Sequence, residues 1–392
     1  MIHRLFCFVA IIINAVTIFA QPKVGDVYPE WTKGYLDIHH INTGKGECAF
    51  LILPDGTTML VDAGASSRTE RVTPAKPDDS RTPGEWISRY ILHMMRHFSN
   101  KKLDYIMLTH FDADHIAGIS EVGEKIPFDK IVDRNWPDYN WPIPLVRDHV
   151  IDYIKFVKRK TVHDGVIAEQ FRVGAHDQFA LVYHPEQYSN FEIRNIASNG
   201  HVWTGTGNNT RNHFPPLESI PDNIPGENQC SSAFRLSYGK FDYFSGGDIT
   251  TDPHFPGNWR DIESAVGIIT GPVDVCVANH HANLDAMGVA FLSAVRPKVI
   301  IVQVSVPSQP DNGALDRMFS KRIYPGERDI FITNLMEETK IVVGQKLTQL
   351  KSQQGHIVIR VNPGGNDYMI YILDDSSESF KIKAIHGPYY SD

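Results

Sequence analysis

The sequence predicts an α/β fold of mixed sheets rather than a doubly wound parallel sheet. Three observations point there. Strand and helix patterns alternate along the chain, short hairpin turns join several of the strands, and three apolar strands stop at segments rich in His and Asp. The 392 residues suffice for one large domain or two ordinary ones. With 42% apolar and 21% charged residues a packed core is expected and global disorder is excluded. Asp and Glu number 46 against 38 Lys and Arg, a net charge of −8. That balance argues against a broad, non-specific grip on nucleic acid and leaves room for a local basic face.

Residues 1–20 read as a leader. Arg4 precedes an apolar run over 5–19, and Ala20 precedes Gln21-Pro22, the pattern of a secretory signal peptide cut after Ala20. The run is shorter than the ~20 residues of a spanning helix, and no basic flank follows it. The expected mature protein is residues 21–392, secreted or periplasmic and without membrane insertion. Cleavage removes Cys7 and leaves Cys48, Cys230 and Cys276. Three cysteines without a CxxC pair exclude a full disulfide framework and a cysteine-rich zinc site.

From residue 35 the elements follow in order. Strands are expected over 35–41, 48–53 and 58–61, the last two joined by Pro54-Asp55-Gly56 and the third ending at Asp62-Ala63-Gly64. Residues 65–84 are polar and Pro-rich, hence a loop. Helical spacing of Ile87, Tyr90, Ile91 and Met94 marks a helix over 86–98. A buried strand over 103–108 stops at Thr109-His110, and a helix should follow His115. Residues 131–165 read as an insertion, first Trp- and Pro-rich, then basic and amphipathic. Residues 171–197 alternate like hairpin strands, and 201–229 read as a long loop. A hairpin over 232–244 ends at Gly246-Gly247-Asp248, a strand over 273–278 ends at Asn279-His280-His281, and another covers 299–304. A C-terminal β extension over 346–392 carries three strands around Pro363-Gly364-Gly365.

The segment from Leu108 to Gly118 carries the chemistry. His110, Asp112, Asp114 and His115 fall within six residues directly after a buried strand. Imidazole and carboxylate together suit zinc, with manganese or iron as alternatives. Alternate residues of an extended loop share a face, so His110 and Asp112 can reach one ion, and Asp114 and His115 can reach a second after a turn. The competing reading is a solvated loop with Asp112 or Asp114 capping a helix. Asp248 follows an apolar strand, where it could bridge two ions. His280 and His281 follow another and supply a distant imidazole. Asp62, at its own strand end, is either a turn-former before Gly64 or the group that orients a ligand His through its ring N–H.

These residues resemble the metal signature HxHxDH of the metallo-β-lactamase superfamily, here in the form HxDxDH, with Asp112 in place of the second His. The variant is similar to the branch containing the soluble domain of the competence DNA-uptake channel protein ComEC. Residues 39–52, HHINTGKGECAFLI, are similar to its DVGQGDSxLI opening, and Leu60-Val61-Asp62-Ala63-Gly64 to its LIDAG. Residues 171–200 and 228–243 resemble its two strand pairs, and His280-His281-Ala282-Asn283 stands where it has HHGS. The likeness covers about residues 35–345. Two features depart from it: the Gly of HHGS is missing, and no GHT-like strand end supplies a further His to the first ion.

The resemblance implies a metallo-β-lactamase-like αββα sandwich of two mixed sheets. It also implies two divalent ions, zinc first and manganese second. His110 and Asp112 would hold one, and Asp114, His115 and one of His280 and His281 the other, with His281 preferred, and Asp248 would bridge. His280 would face the substrate or leaving group, and Asn228 and Ser231 would bond substrate or ligands. Asn228 and Ser231 read equally well as turn-formers before a strand. Such a pair lowers the pKa of a trapped water toward ~7 and yields hydroxide at neutral pH. The implied function is a secreted metal-dependent hydrolase acting on phosphodiesters, whether small or polymeric, nucleic acid included. Ester, lactone or β-lactam hydrolysis on the same scaffold is the alternative, and a non-catalytic metal-binding surface protein the third. Basic clusters at Lys101-Lys102 and over 155–160, and Trp136 and Trp141 beside prolines, are either ligand contacts or ordinary surface and packing.

Overall fold

The computed structural model describes residues 22–64, 73–142, 145–219, 225–252 and 257–392. The expected leader over 1–20 lies outside them, as do parts of the loops expected over 65–84 and 201–229. Among the described residues no helix is long and apolar enough to cross a membrane.

The first sheet begins as an antiparallel meander of β1 (Leu36–His40), β2 (Ala49–Ile52) and β3 (Thr58–Val61). The β2–β3 turn is closed by Asp55, whose carboxylate accepts from Thr57 N at 2.9 Å, and by Gly56 at φ +94°. Strands β4 (Leu103–Met107), β5 (Phe128–Asp133) and β6 (Ile167–Gln170) then add in parallel. The connections carry α1 (Pro83–Met94), α2 (Ala113–Ile116), α3 (Ile119–Lys125) and α4 (Asp148–His163). Thr82 caps α1, its Oγ1 accepting from Glu85 N at 3.2 Å, and Pro83 opens it. Its buried face is Ile87, Tyr90, Ile91 and Met94, the stripe that the spacing predicts.

Residues 131–165, expected as an insertion, hold the end of β5 and the whole of α4. Helix α4 buries Val150, Tyr153, Phe156 and Val157 and completes a β5–α4–β6 crossover. Three of its basic residues meet acids: Lys155 pairs with Asp152, and Arg159 and Lys160 with Glu124.

The second sheet comprises β7 (Phe191–Ser198), β8 (His201–Trp203), β9 (Thr210–Asn212), β10 (Ala233–Tyr238), β11 (Phe241–Ser245), β12 (Val275–Val277), β13 (Val299–Val302), β14 (Asp329–Ile332) and β15 (Leu350–Ser352). Its order is β15-β14-β13-β12-β11-β10-β7-β8-β9, with β11 through β15 parallel. Helices α5 (Ile262–Thr270), α6 (Val289–Val295), α7 (Asn312–Phe319) and α8 (Glu337–Val343) connect its strands. The chain then returns to the first sheet as β16 (His356–Val361), β17 (Asp367–Leu373) and β18 (Ile382–Tyr390), with β16 pairing β1. The C-terminal strands expected as an extension thus continue that sheet to nine strands.

Three apolar layers follow from this order. Leu51, Met59, Met107, Phe234, Val275 and Ile301 pack between the sheets. Phe50, Leu60 and Ile106 point to α1, α3 and α4, while Phe244, Cys276 and Ile300 point to the helices on the far side. The result is the αββα sandwich of two mixed sheets, both covered by helices.

Two stretches differ from the sequence reading. Residues 171–190 form no ladder strand although Phe171, Phe179 and Leu181 are buried. Side chains take the backbone donors there: Gln178 Oε1 accepts from Arg172 N, and Asp55 Oδ2 accepts from both Tyr183 N and His184 N. The stretch expected as a loop after residue 200 instead opens with the β8–β9 hairpin. Cys48, Cys230 and Cys276 are buried free thiols.

Candidate metal centre

The parallel strands of both sheets end on the same side, where open α/β sheets bind ligands. β3 delivers Asp62, β4 the segment Thr109 to His115, β11 the segment Gly246 to Asp248, β12 the segment Asn279 to His281, and β13 Gln303 and Ser305.

The loops are held by close backbone contacts. Glu47 N donates to Asp114 O at 3.0 Å, and Gly64 N to Glu47 O at 2.7 Å. A Cβ on Gly46 would lie 2.1 Å from Asp114 O, and one on Gly64 2.0 Å from it. Asp112 sits at the N-cap of α2, yet its side chain makes no cap bond. It pairs instead with Arg147 and lies 3.7 Å from His110 Nε2.

The imidazoles are oriented from behind. His115 Nδ1–H donates to Asp62 Oδ2 at 2.8 Å, and the same carboxylate accepts from Thr109 N and Thr109 Oγ1. His281 Nδ1–H donates to Gln303 O at 2.7 Å. With both Nδ1 protons so placed, the two Nε2 atoms face each other at 3.2 Å. Asp248 Oδ1 is 3.3 Å from His115 Nε2, and Asp248 Oδ2 is 3.5 Å from His281 Nε2 and 3.7 Å from His110 Nε2. Asp114 Oδ2 is 3.4 Å from His281 Nε2 and accepts from Ser305 Oγ. His110, His115, His281 and Asp248 are all buried.

His280 and His281 part company. They lie in a tight turn, not on a strand, with His280, His281 and Ala282 all at positive φ. His281 points inward. His280 Nδ1–H donates to Asp285 Oδ1 at 2.7 Å, while its Nε2 accepts from Asn228 Nδ2 at 3.0 Å and lies 4.0 Å from Asp248. Ser231 Oγ accepts from Asp248 N at 3.2 Å. The six His and Asp residues of the expected metal set are therefore brought together, with His280, Asn228 and Ser231 on one flank.

The electrostatics follow from burial and mutual charge. Burial opposes the imidazolium of His115, but the Asp248 and Asp62 carboxylates outweigh it and raise its pKa well above the ordinary value. Burial is likewise outweighed by Asp248 and Asp114 at His281, which rises to about 10. His110 is lowered by burial and by the charge on His115. Burial would raise Asp114 and Asp248, but the facing imidazoles hold both below the usual carboxylate range. These shifts describe a site whose anions call for a cation at its centre, supplied by protons when no metal is bound.

The donor set fits divalent metal. His110 Nε2 and Asp248 Oδ1 are buried without a hydrogen-bond partner, a costly state unless an ion takes the lone pair. The opposed Nε2 atoms of His115 and His281 make the same demand.

Several residues of the site escaped the sequence reading. Glu47 is buried, with ligand atoms of Glu47, His115, Asp248 and His281 all within 4.8 Å of one another. Burial pushes its carboxyl up to about 7. It stands in the segment likened to DVGQGDSxLI, so its position was visible although its role was not. Ser305 and Gln303 follow a plain apolar strand that gives no signal. Arg134, fully buried, forms a two-point pair with Glu227 at 2.8 and 2.7 Å, and Glu227 also accepts from Phe111 N at 2.8 Å. Trp136 and Trp141 line a cavity of about 440 Å³ beside that pair, together with Asn135, Phe171 and Asn199.

Residues 44–189, which hold Glu47, Asp62 and the His110–His115 segment, match the family model of the metallo-beta-lactamase superfamily. The two helix-covered mixed sheets agree with that fold. No curated protein matches the sequence at a significant level. Similar solved structures include CmlA, a diiron beta-hydroxylase from Streptomyces venezuelae, at TM-score 0.41 and 11% identity over 86% of this chain. The chain spans only 55% of the length of CmlA. YhfI, a metallo-beta-lactamase fold protein from Bacillus subtilis, is similar at TM-score 0.35 and 11% identity, over 83% of this chain and 99% of that one. A diphosphatase from the PhnP family is similar at TM-score 0.34 and 12% identity, over 77% and 95%.

Proposed function

We propose that this chain is a secreted, metal-dependent hydrolase of the metallo-β-lactamase type that cleaves phosphodiesters with two divalent ions. The observation that carries the reading is the convergence of three strand ends on Asp248, with buried, partnerless lone pairs on His110 and Asp248. His110, Asp112 and Asp248 would hold one ion. Asp114, His115, His281 and Asp248 would hold the other. When bound, such a pair supplies a water of lowered pKa and neutralises charge on the attacked group.

The chain's own residues do the rest. Asp62 and the Gln303 carbonyl fix the proton on Nδ1 of His115 and His281, leaving each Nε2 lone pair for an ion. Ser305 fixes Asp114 and Arg147 fixes Asp112, which limits the motion of the carboxylates. His280, held by Asp285 and 4.0 Å from Asp248, stands where it could pass a proton to a departing oxygen from Nε2 once Asn228 turns its partnerless Oδ1 toward that atom. Burial opposes its protonation, but the bond to Asp285 raises its pKa and favours the acid form. Asn228, already on His280, would share substrate contact with it.

Phosphodiesters are favoured over lactams by Asp112 in place of a neutral imidazole and by the likeness to the ComEC-like branch. Export is supported by the leader pattern of residues 1–20. The test is turnover of bis-p-nitrophenyl phosphate, single-stranded DNA and nitrocefin, with chelator and with added zinc or manganese. Chelator-sensitive cleavage of the phosphodiesters alone is expected. Nitrocefin turnover without phosphodiesterase activity would replace this reading with the ester and lactam one.

A further inference from the structure

We infer that Glu47 is an additional ligand of the second ion, making that position rich in oxygen donors and suited to a six-coordinate cation such as manganese. This rests on the two-ion reading above and extends its donor set.

Glu47 closes the turn between β1 and β2, far in sequence from every other ligand. Its backbone is clamped on both sides, N–H to Asp114 O and C=O to Gly64 N. That clamp spans the β3 and β4 strand-end loops and fixes where the side chain can go. The side chain is buried at 1% exposure, and neither carboxylate oxygen has a hydrogen-bond partner. No lysine or arginine forms an ion pair with it among the described residues. Its ligand atom lies within 4.8 Å of those of His115, Asp248 and His281. A carboxylate so buried and so poorly satisfied needs a cation. The same three neighbours already demand one.

The consequence concerns metal choice. Asp114, His115, Asp248 and His281 alone are a four-donor set compatible with tetrahedral zinc. Glu47, His115, Asp248 and His281 form the close group, and Asp114 stands beside it, 3.4 Å from His281 Nε2; together they make three carboxylates and two imidazoles. Five protein donors exceed tetrahedral zinc and leave one place of an octahedron for water or substrate, an arrangement suited to manganese. Among the described residues no second buried, partnerless carboxylate stands at the first position, with His110, Asp112 and Asp248. The two positions should therefore differ in metal preference.

The test uses the full-length protein stripped with chelator and titrated calorimetrically with manganese and with zinc, as wild type, Glu47→Gln and Glu47→Asp. At one of two positions, Glu47→Gln should lower manganese affinity at least tenfold and zinc affinity less than threefold. Glu47→Asp should recover part of the loss. Thermal midpoints in chelator should show Glu47→Gln folded. If wild type binds two ions and Glu47→Gln binds both metals unchanged, Glu47 is no ligand. If wild type binds no ion, the two-ion reading itself fails. Cobalt substitution of the wild type decides independently of the variants. Weak visible bands of five- or six-coordinate cobalt at one position are expected, and intense tetrahedral bands at both would overturn the inference.

Discussion

Replacing Asp62 by asparagine isolates the role of a residue that touches no ion. The side chain is fully buried, and its carboxylate accepts three hydrogen bonds: Thr109 N at 2.8 Å, Thr109 Oγ1 at 2.6 Å and His115 Nδ1 at 2.8 Å. The amide introduced by Asp62→Asn would keep one acceptor, which Thr109 N takes. Its N–H groups would then face Thr109 Oγ1 and His115 Nδ1. A neutral imidazole meets that donor by accepting at Nδ1, which moves its proton to Nε2, the atom a metal needs. Returning the proton to Nδ1 sets donor against donor and forfeits about one to two hydrogen bonds, of order 1.4–2.8 kcal/mol, or about 10- to 100-fold in metal affinity. The assay is calorimetric metal titration of Asp62→Asn beside wild type, with thermal midpoints in chelator as the folding control. Affinity within twofold of wild type in a folded variant would refute the tautomer argument.

Glu227→Gln should break the buried pair with Arg134, at about 3–5 kcal/mol. At roughly 2.1 cal/mol/K per residue over 392 residues the unfolding entropy is about 0.8 kcal/mol/K, so the thermal midpoint should fall by about 4–6 °C. A double-mutant cycle with Arg134→Met should show that the two losses do not add; additive losses would mean the pair is uncoupled. Gly46→Ala should place a methyl 2.1 Å from Asp114 O at a backbone φ of +85°, so metal affinity and stability should drop together, and a variant with normal metal titration would contradict the clamp. Burial pushes His39 and His356 down to about 4 and His40 to about 3. The folded protein keeps them neutral while the unfolded chain takes up protons below about 6.5, so stability is unaffected by them at pH 8 and is lost as pH falls from 6.5 toward 4. His40→Phe should shrink the loss between pH 8 and pH 5 by about 2 kcal/mol in urea titrations, and an unchanged pH profile would refute that assignment.

The parts of the fold legible in the sequence were those with local signatures. The β2–β3 hairpin announced itself through Pro54-Asp55-Gly56, and α1 through one apolar stripe. Strands β5, β6 and β14 carry no readable alternation: β5 and β14 are short parallel strands buried over most of their length, and β6 is four half-exposed residues at the edge of its sheet. Residues 171–190 misled for the opposite reason: alternation reflected burial between the sheets, while Asp55 and Gln178 side chains, distant in sequence, replaced the ladder. At the site, His110 to His115, Asp248 and the His280-His281 pair were readable because polar ligand types at the ends of apolar strands are costly without a use. The inward turn of His281 was not deducible from strand alternation, since positive φ at His280, His281 and Ala282 sets it. Glu47, Ser305 and the Arg134–Glu227 pair depend on contacts between segments that no local pattern reports.

Diffraction at the metal absorption edge, from crystals grown with zinc or manganese, tests the central claim most directly. Two anomalous peaks should flank the Asp248 carboxylate, one beside His110 and Asp112 and one among Asp114, His115 and His281, each about 2.0–2.3 Å from its ligand atoms. A cleft without peaks, or a single ion that leaves Asp248 uncoordinated, would contradict it.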